Sequence, residues 1–252
     1  MKGLELCEKY FNEVGRPALE RECAQYMDRM AFGLVGDGSD CYGYDDELSH
    51  DHDWGPGFCI WLTKEDFKAA GREIQAVFDN LPHEYQGYTR IPSDWGEGRV
   101  GVMEIGAFYR RFYSKESAPG SYREWLVTPD NAFAAATNGK VFHDPLGEFS
   151  KVRTALKSHY PEDVRMKKLA ARCMSAGQAG QYNFPRCVKR DQKYAARHSE
   201  IKFCQDALFM VFLINKQYAP FYKWVHHAVQ ELPLLGKYMY DQIGAVLKEA
   251  DE

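Results

Sequence analysis

No part of this 252-residue chain is apolar for long. The longest purely apolar run, Ala207 to Ile214, falls far short of the roughly 18 residues that a membrane span needs, so no membrane partner is expected. The seven cysteines contain no CxxC pair, and their odd number argues against a closed disulfide framework and for free thiols in a reducing compartment. Met1 to Gly15 mixes Lys, Glu and Asn with its apolar residues, which is not the pattern of a signal peptide. Together these absences predict a cytoplasmic protein. No internal repeat and no low-complexity tract is visible. One further scarcity is local: from Gly36 to Asp53 there is no Lys or Arg.

That same stretch holds seven carboxylates, namely Asp37, Asp40, Asp45, Asp46, Glu47, Asp51 and Asp53. Charge of one sign at this density repels itself and needs a positive partner, for which a divalent cation is the simplest candidate. The rest of the composition is that of an ordinary globular protein, 45% hydrophobic and 27% charged. The net charge of −4 hides an asymmetry. From Lys151 to Lys202 there are 13 Lys or Arg against four acids, a balance of +9, so the remainder sums to −13. An acidic first part suits a metal; a basic later segment suits an anion such as a triphosphate, or simply a solvated helical face.

Periodicity divides the chain near Phe149 into an α/β part, residues 1–149, and a helical part, residues 150–252. Leu4, Cys7, Phe11 and Val14 recur at helical spacing, and Pro17 opens a second helical run. Ala31 to Val35, Phe58 to Leu62, Arg99 to Ile105 and Lys140 to Phe142 read as strands. Thr63 with Asp66 three residues later predicts an N-cap for a helix over 64–78. Beyond Ser150 helical spacing dominates, punctuated by Pro161, Pro185, Pro220 and Pro233.

In an extended strand Asp51 and Asp53 face the same way and His52 the other, so the two carboxylates repel unless a cation bridges them. Upstream, Gly38-Ser39 after a strand can set backbone N–H groups and a hydroxyl against a phosphate. A phosphate binder followed a dozen residues later by a carboxylate pair suits Mg²⁺, which takes a few carboxylates plus substrate phosphates.

Gly38-Ser39, eleven residues, then Asp51-His52-Asp53-Trp54 resembles the signature of the polymerase-β-like nucleotidyltransferase superfamily. Within it the chain is similar to an uncharacterised, domain-of-unknown-function family of nucleotidyltransferase-like proteins, with Leu213 to Trp224 resembling one of that family's segments. It also bears a general likeness to the kanamycin and other aminoglycoside nucleotidyltransferases. The resemblance implies an α+β fold: a nucleotidyltransferase domain with a small mixed sheet, followed by a helical bundle. It implies Mg²⁺ or Mn²⁺ held by Asp51, Asp53 and a third carboxylate, with Glu104 the first choice and Asp94, Glu97 and Asp144 behind it. Gly38 and Ser39 would hold the phosphates of an NTP, ATP being the expected one. AMP would pass to a hydroxyl of a small molecule or a protein, and pyrophosphate would leave.

Lys223 and Arg190 are further candidates for contact with the nucleotide, as are Asn215, Tyr218, Tyr222 and Trp224 for lining a pocket. Arg186, beside Arg190 in the basic stretch, could also meet a triphosphate. His50, His52 and His143 raise zinc, but the strand reading places His50 and His52 opposite the Asp pair. Asp45, Asp46 and Glu47 read as loop charges. A fold of this kind that binds a nucleotide or a protein partner without chemistry is the alternative. With an acidic chain and no RNA-binding motif, nucleic acid is not the expected partner, and a homodimer is left open.

Overall fold

The structure is a computed structural model that describes residues 1–96 and 98–249. It is α+β, with a small mixed sheet and many helices. The chain divides into two compact units, 1–118 with 135–158, and 119–134 with the chain from His159 onward.

The sheet of the first unit contains β1 (Ala31–Leu34), β2 (Cys59–Leu62), β5 (Gly101–Glu104) and β6 (Lys140–His143), in the order β5-β2-β1-β6. β1 runs antiparallel to β2 and to β6, and β2 runs parallel to β5. A two-stranded ribbon, β3 (Glu84–Tyr85) and β4 (Tyr88–Thr89), lies outside it. All four residues of β2 are buried, which requires cover on both faces. Ile60 and Leu62 point into a core with Phe11, Leu19, Phe32, Phe58 and Ile74. Trp61 points the other way and stacks on Phe149, ring centroids 3.7 Å apart. Gly33 makes that placement feasible, because a Cβ there would meet the Trp61 ring at 2.9 Å and the Lys140 carbonyl at 2.4 Å. Phe149, where the sequence changes character, is thus fully buried in the first unit, at the start of the helix Glu148–Lys157.

The amphipathic helix expected at the N-terminus is present, but Pro17 does not interrupt it. The α-helix Gly3–Tyr10 continues through a π-helical turn, Phe11–Gly15, into Arg16–Glu22, with helical backbone at both junctions. The wider π-turn accommodates a residue that has no N–H and whose ring would crowd the preceding turn. Thr63 caps the helix Lys64–Asp79 as its sequence predicts, its hydroxyl accepting from the Asp66 N–H at 3.2 Å.

In the second unit the described residues form helices, chiefly Glu162–Ala176, Phe184–Lys189, Lys193–Ile214, Tyr222–Val229 and Gly236–Glu249. Pro185 repeats the behaviour of Pro17: a π-helical segment, Gly177–Asn183, carries the chain into it without a break. The aromatic centre is Phe133, Tyr160 and Tyr218 around His159, whose ring lies 4.5 Å from Tyr160 and 4.6 Å from Tyr218. No helix among the described residues is long and apolar enough to cross a membrane.

The Asn138 amide accepts from Gly36 N at 2.9 Å and donates to Gly36 O at 2.7 Å, closing the turn after β1. Asn138→Ala leaves both groups unpaired and is expected to cost about 1–3 kcal/mol in a urea titration. Burial pushes the His159 imidazole down from 6.5 to about 4. Between those values the unfolded chain takes up a proton that the native protein refuses, so stability is complete above pH 6.5 and falls as pH drops toward 4. Unfolding titrations at pH 7 and pH 4.5 are expected to differ by up to about 3 kcal/mol more in the parent protein than in His159→Phe.

Candidate functional site

After β1 the backbone turns through Gly36 and Gly38, both at positive φ (128° and 121°), into a short helix, Ser39–Tyr42. Gly38 is the residue before that helix, and no side chain caps it. Against this turn lies a guanidinium that sequence reading did not single out. Arg99 donates through Nη2 to the Asp37 carbonyl at 2.6 Å and to Asp40 Oδ1 at 3.1 Å. Its Nη1 stands 4.0 Å from Asp53 Oδ2. A Cβ on Gly38 would fall 1.8 Å from Arg99 Nη2 and 2.3 Å from Asp40 Oδ1, so glycine here admits the side chains that occupy the turn.

Asp53 is buried, and its carboxylate accepts from Ser93 N at 3.0 Å and from Ser93 Oγ. Burial alone would raise its pKa, but the Ser93 hydroxyl and amide and the Arg99 charge outweigh it and hold the group below the usual carboxylate range. A second guanidinium, Arg90, donates to the carbonyls of Asp53 (2.7 Å), Gly55 (3.0 Å) and Pro56 (3.3 Å) and pins the loop that carries Asp53. Its Nη2 is 3.9 Å from Asp40 Oδ2. Arg90, Ser93, Arg99 and Asp53, with Pro92, Asp94 and Gly96, line a cavity of about 360 Å³. Gly96 is another close approach, since a Cβ there would sit 1.9 Å from Asp53 Oδ1.

The expected strand through Asp51 and Asp53 does not form. Glu47–Asp51 is a 3₁₀ turn, capped by Asp46 and Ser49 through reciprocal hydrogen bonds, and β2 begins only at Cys59. Asp53 takes up φ 53°, so alternation no longer governs the pair. The Asp51 side chain is 65% exposed and is paired at 2.9 Å with His52. Glu104 ends β5 and pairs with Arg110 at 3.5 Å. Among the fallback carboxylates, Asp94 is exposed at the cavity rim and Asp144 accepts from Gly147 N and Ser150 N. Glu97 lies outside the described residues. Asp45 is a loop residue, as expected, and it is buried: its carboxylate accepts from Gly3 N at 2.7 Å and Trp54 Nε1 at 3.0 Å.

The described residues contain no set of three or more Asp, Glu, His or Cys placed to hold one metal ion. His50 stacks on Trp54 at 3.6 Å, and His143 ends β6 beside Phe32. Asp51, Asp53 and Glu104 each have a different cationic or hydrogen-bonding partner, so this arrangement does not fit the two-ion carboxylate site that the resemblance implies.

Gly38 and Asp53 therefore meet around Arg99, with Ser39 next to the turn, whereas Asp51 and Glu104 stand apart from that contact. Lys223 and Arg190 are exposed residues of the second unit, Lys223 lying 5.0 Å from the Trp224 ring. In the same unit Arg186 is stacked 3.6 Å over the Tyr182 ring. Asn215 is spent on the carbonyls of Val211 and Leu234, and Tyr218 on the aromatic centre. The missed residues had a signal. Arg90 and Arg99 bracket a Pro, Ser, Asp and Gly-rich loop and are the complement to an acidic stretch without cations of its own.

A family described as Domain of unknown function (DUF4037) matches residues 125–225, a span that does not include the Asp53 cluster. No curated protein and no solved structure matches the chain.

Arg99 is the cation that two buried carboxylates share. Arg99→Leu takes the nearer guanidinium from Asp40 and the guanidinium from Asp53, leaving Arg90 at 3.9 Å and the Ser93 bonds, and is expected to cost about 3 kcal/mol at pH 7. The lowered pKa of Asp53 contributes stability above the ordinary carboxylate range and loses it in acid. The deficit of Arg99→Leu in urea titrations is therefore largest at neutral pH and shrinks below pH ~4.

Proposed function

We propose that the first unit is a nucleotidyltransferase-like domain, with the helical second unit as its companion. It receives the phosphates of a nucleoside triphosphate, ATP being the expected one, at the Gly36–Ser39 turn. The observation that carries this reading is the Arg99 guanidinium seated against that turn, within bonding distance of the Asp37 carbonyl. A glycine turn at positive φ, an adjoining guanidinium and a neighbouring cavity form an anion-receiving corner.

The activity we assign is transfer of AMP to a hydroxyl of a small molecule or a protein, with release of pyrophosphate. Its support is the Gly38-Ser39 and Asp51-x-Asp53 spacing. In this role Arg99 would neutralise phosphate charge, Ser39 would donate to a phosphate oxygen, and Ser93 would orient Asp53. A second reading is favoured by the separate engagement of Asp53, Asp51 and Glu104: a nucleotide-binding protein that performs no transfer.

A pyrophosphate-release assay over the four NTPs and a panel of hydroxyl acceptors, in Mg²⁺ and in Mn²⁺, separates the two. Transfer predicts release that falls on the order of 100-fold or more in Asp53→Asn. Calorimetry with ATP is expected to give binding that weakens about tenfold or more in Arg99→Leu. Binding without release leaves the second reading standing, and the absence of both removes the nucleotide from the protein's function.

A further inference from the structure

A cavity of about 700 Å³ lies in the second unit, far along the chain from the Asp53 cluster. We infer that it is a binding site for a small organic anion with a flat apolar body. Its main wall is one stripe of the helix Lys193–Ile214, where Lys193, Ala196, Arg197, Glu200 and Phe203 follow each other at intervals of one or three residues. Gly180 and Phe184 face that stripe from the preceding helical segments, and Val246 closes it from the last helix. The volume, about 700 Å³, is in the range of ordinary small-molecule sites.

Local backbone chemistry builds the floor. Gly180 sits within the π-helical segment Gly177–Asn183, an irregularity common where a helix serves a site. A Cβ on Gly180 would lie 2.6 Å from the Phe203 ring. The missing side chain lets that ring lie against backbone, and 40% of Phe203 remains exposed to whatever enters. Phe203 and Phe184 thus offer aromatic surface, with Ala196 and Val246 completing the apolar part.

Charge selects the sign of the ligand. Arg197 and Glu200 satisfy each other at 2.8 Å and contribute no net charge. Among the described residues the Lys193 ammonium has no ion pair, which leaves the wall at +1. The stretch 184–197 adds Arg186, Lys189 and Arg190 against Asp191 alone. A flat acid places its rings on Phe203 and Phe184 and its anionic group at Lys193, whereas an amine of the same shape meets an uncompensated cation.

Two fluorescent probes test this with the full chain: 8-anilinonaphthalene-1-sulfonate and N-phenyl-1-naphthylamine, which has the same rings without the sulfonate. The sulfonate is expected to bind one per chain and about tenfold or more tighter than the neutral amine. Lys193→Glu, at an exposed position, should erase that preference and leave the neutral probe's affinity unchanged. Val246→Trp, which fills the groove, should weaken both probes. Equal affinities for the two probes in the parent protein, or a sulfonate affinity untouched by Lys193→Glu, overturns the proposal. Circular dichroism and melting of each variant identify loss of fold, and if Val246→Trp fails to fold, Lys193→Glu decides alone.

Discussion

The first unit is organised around the sharing of a single guanidinium. Arg99 stands just before β5, yet its side chain reaches the turn after β1, the helix that follows it and the loop before β2. These segments are brought together by the sheet and contain the acidic stretch that has no cation of its own. Buried carboxylates tolerate burial only with charge-assisted partners, and Asp40 and Asp53 find theirs here. The match is incomplete: Asp40 Oδ2 and Arg99 Nε are buried without a hydrogen-bond partner among the described residues. Gly38 and Gly96 are free of side chains where the cluster is most crowded.

Burial on both faces of the sheet has a parallel role. β2 buries Ile60 and Leu62 on one side and Trp61 on the other, which fixes the β1–β2 register and with it the position of both loops. The Asn138 amide then ties the turn to the segment leading into β6. The acidic loop is thus set by packing that lies outside it, and Arg90 completes the work with three bonds to its carbonyls. The two prolines that follow π-helical turns show the same economy. Each turn absorbs the missing donor and keeps a long helix continuous, and in the second unit the absorbing segment also lines a cavity.

Local signals were legible wherever the cause was local. The strands at Ala31, Cys59, Gly101 and Lys140, the Thr63 cap and the amphipathic N-terminal helix depend on short apolar runs bounded by turn residues, on helical spacing or on one hydroxyl. Asp51 and Asp53 were misread as alternating strand residues because a reciprocal cap between Asp46 and Ser49 winds the chain into a 3₁₀ turn, and Asp53 adopts a left-handed backbone. Asp45 does lie in a loop, but its burial was not legible because its partners, Gly3 N and the Trp54 indole, are 42 and nine residues away.

What the amino-acid order determined alone is a division into a part with strands and helices and a helical part, with an acidic, cation-free stretch early and a basic helical stretch late. These follow from spacing and composition, which need no neighbour in space. Only the tertiary structure decided which positive group answers the acids. The choice among the chain's 32 Lys and Arg depends on which loop the sheet carries to the β1 turn, and that is set by strand order.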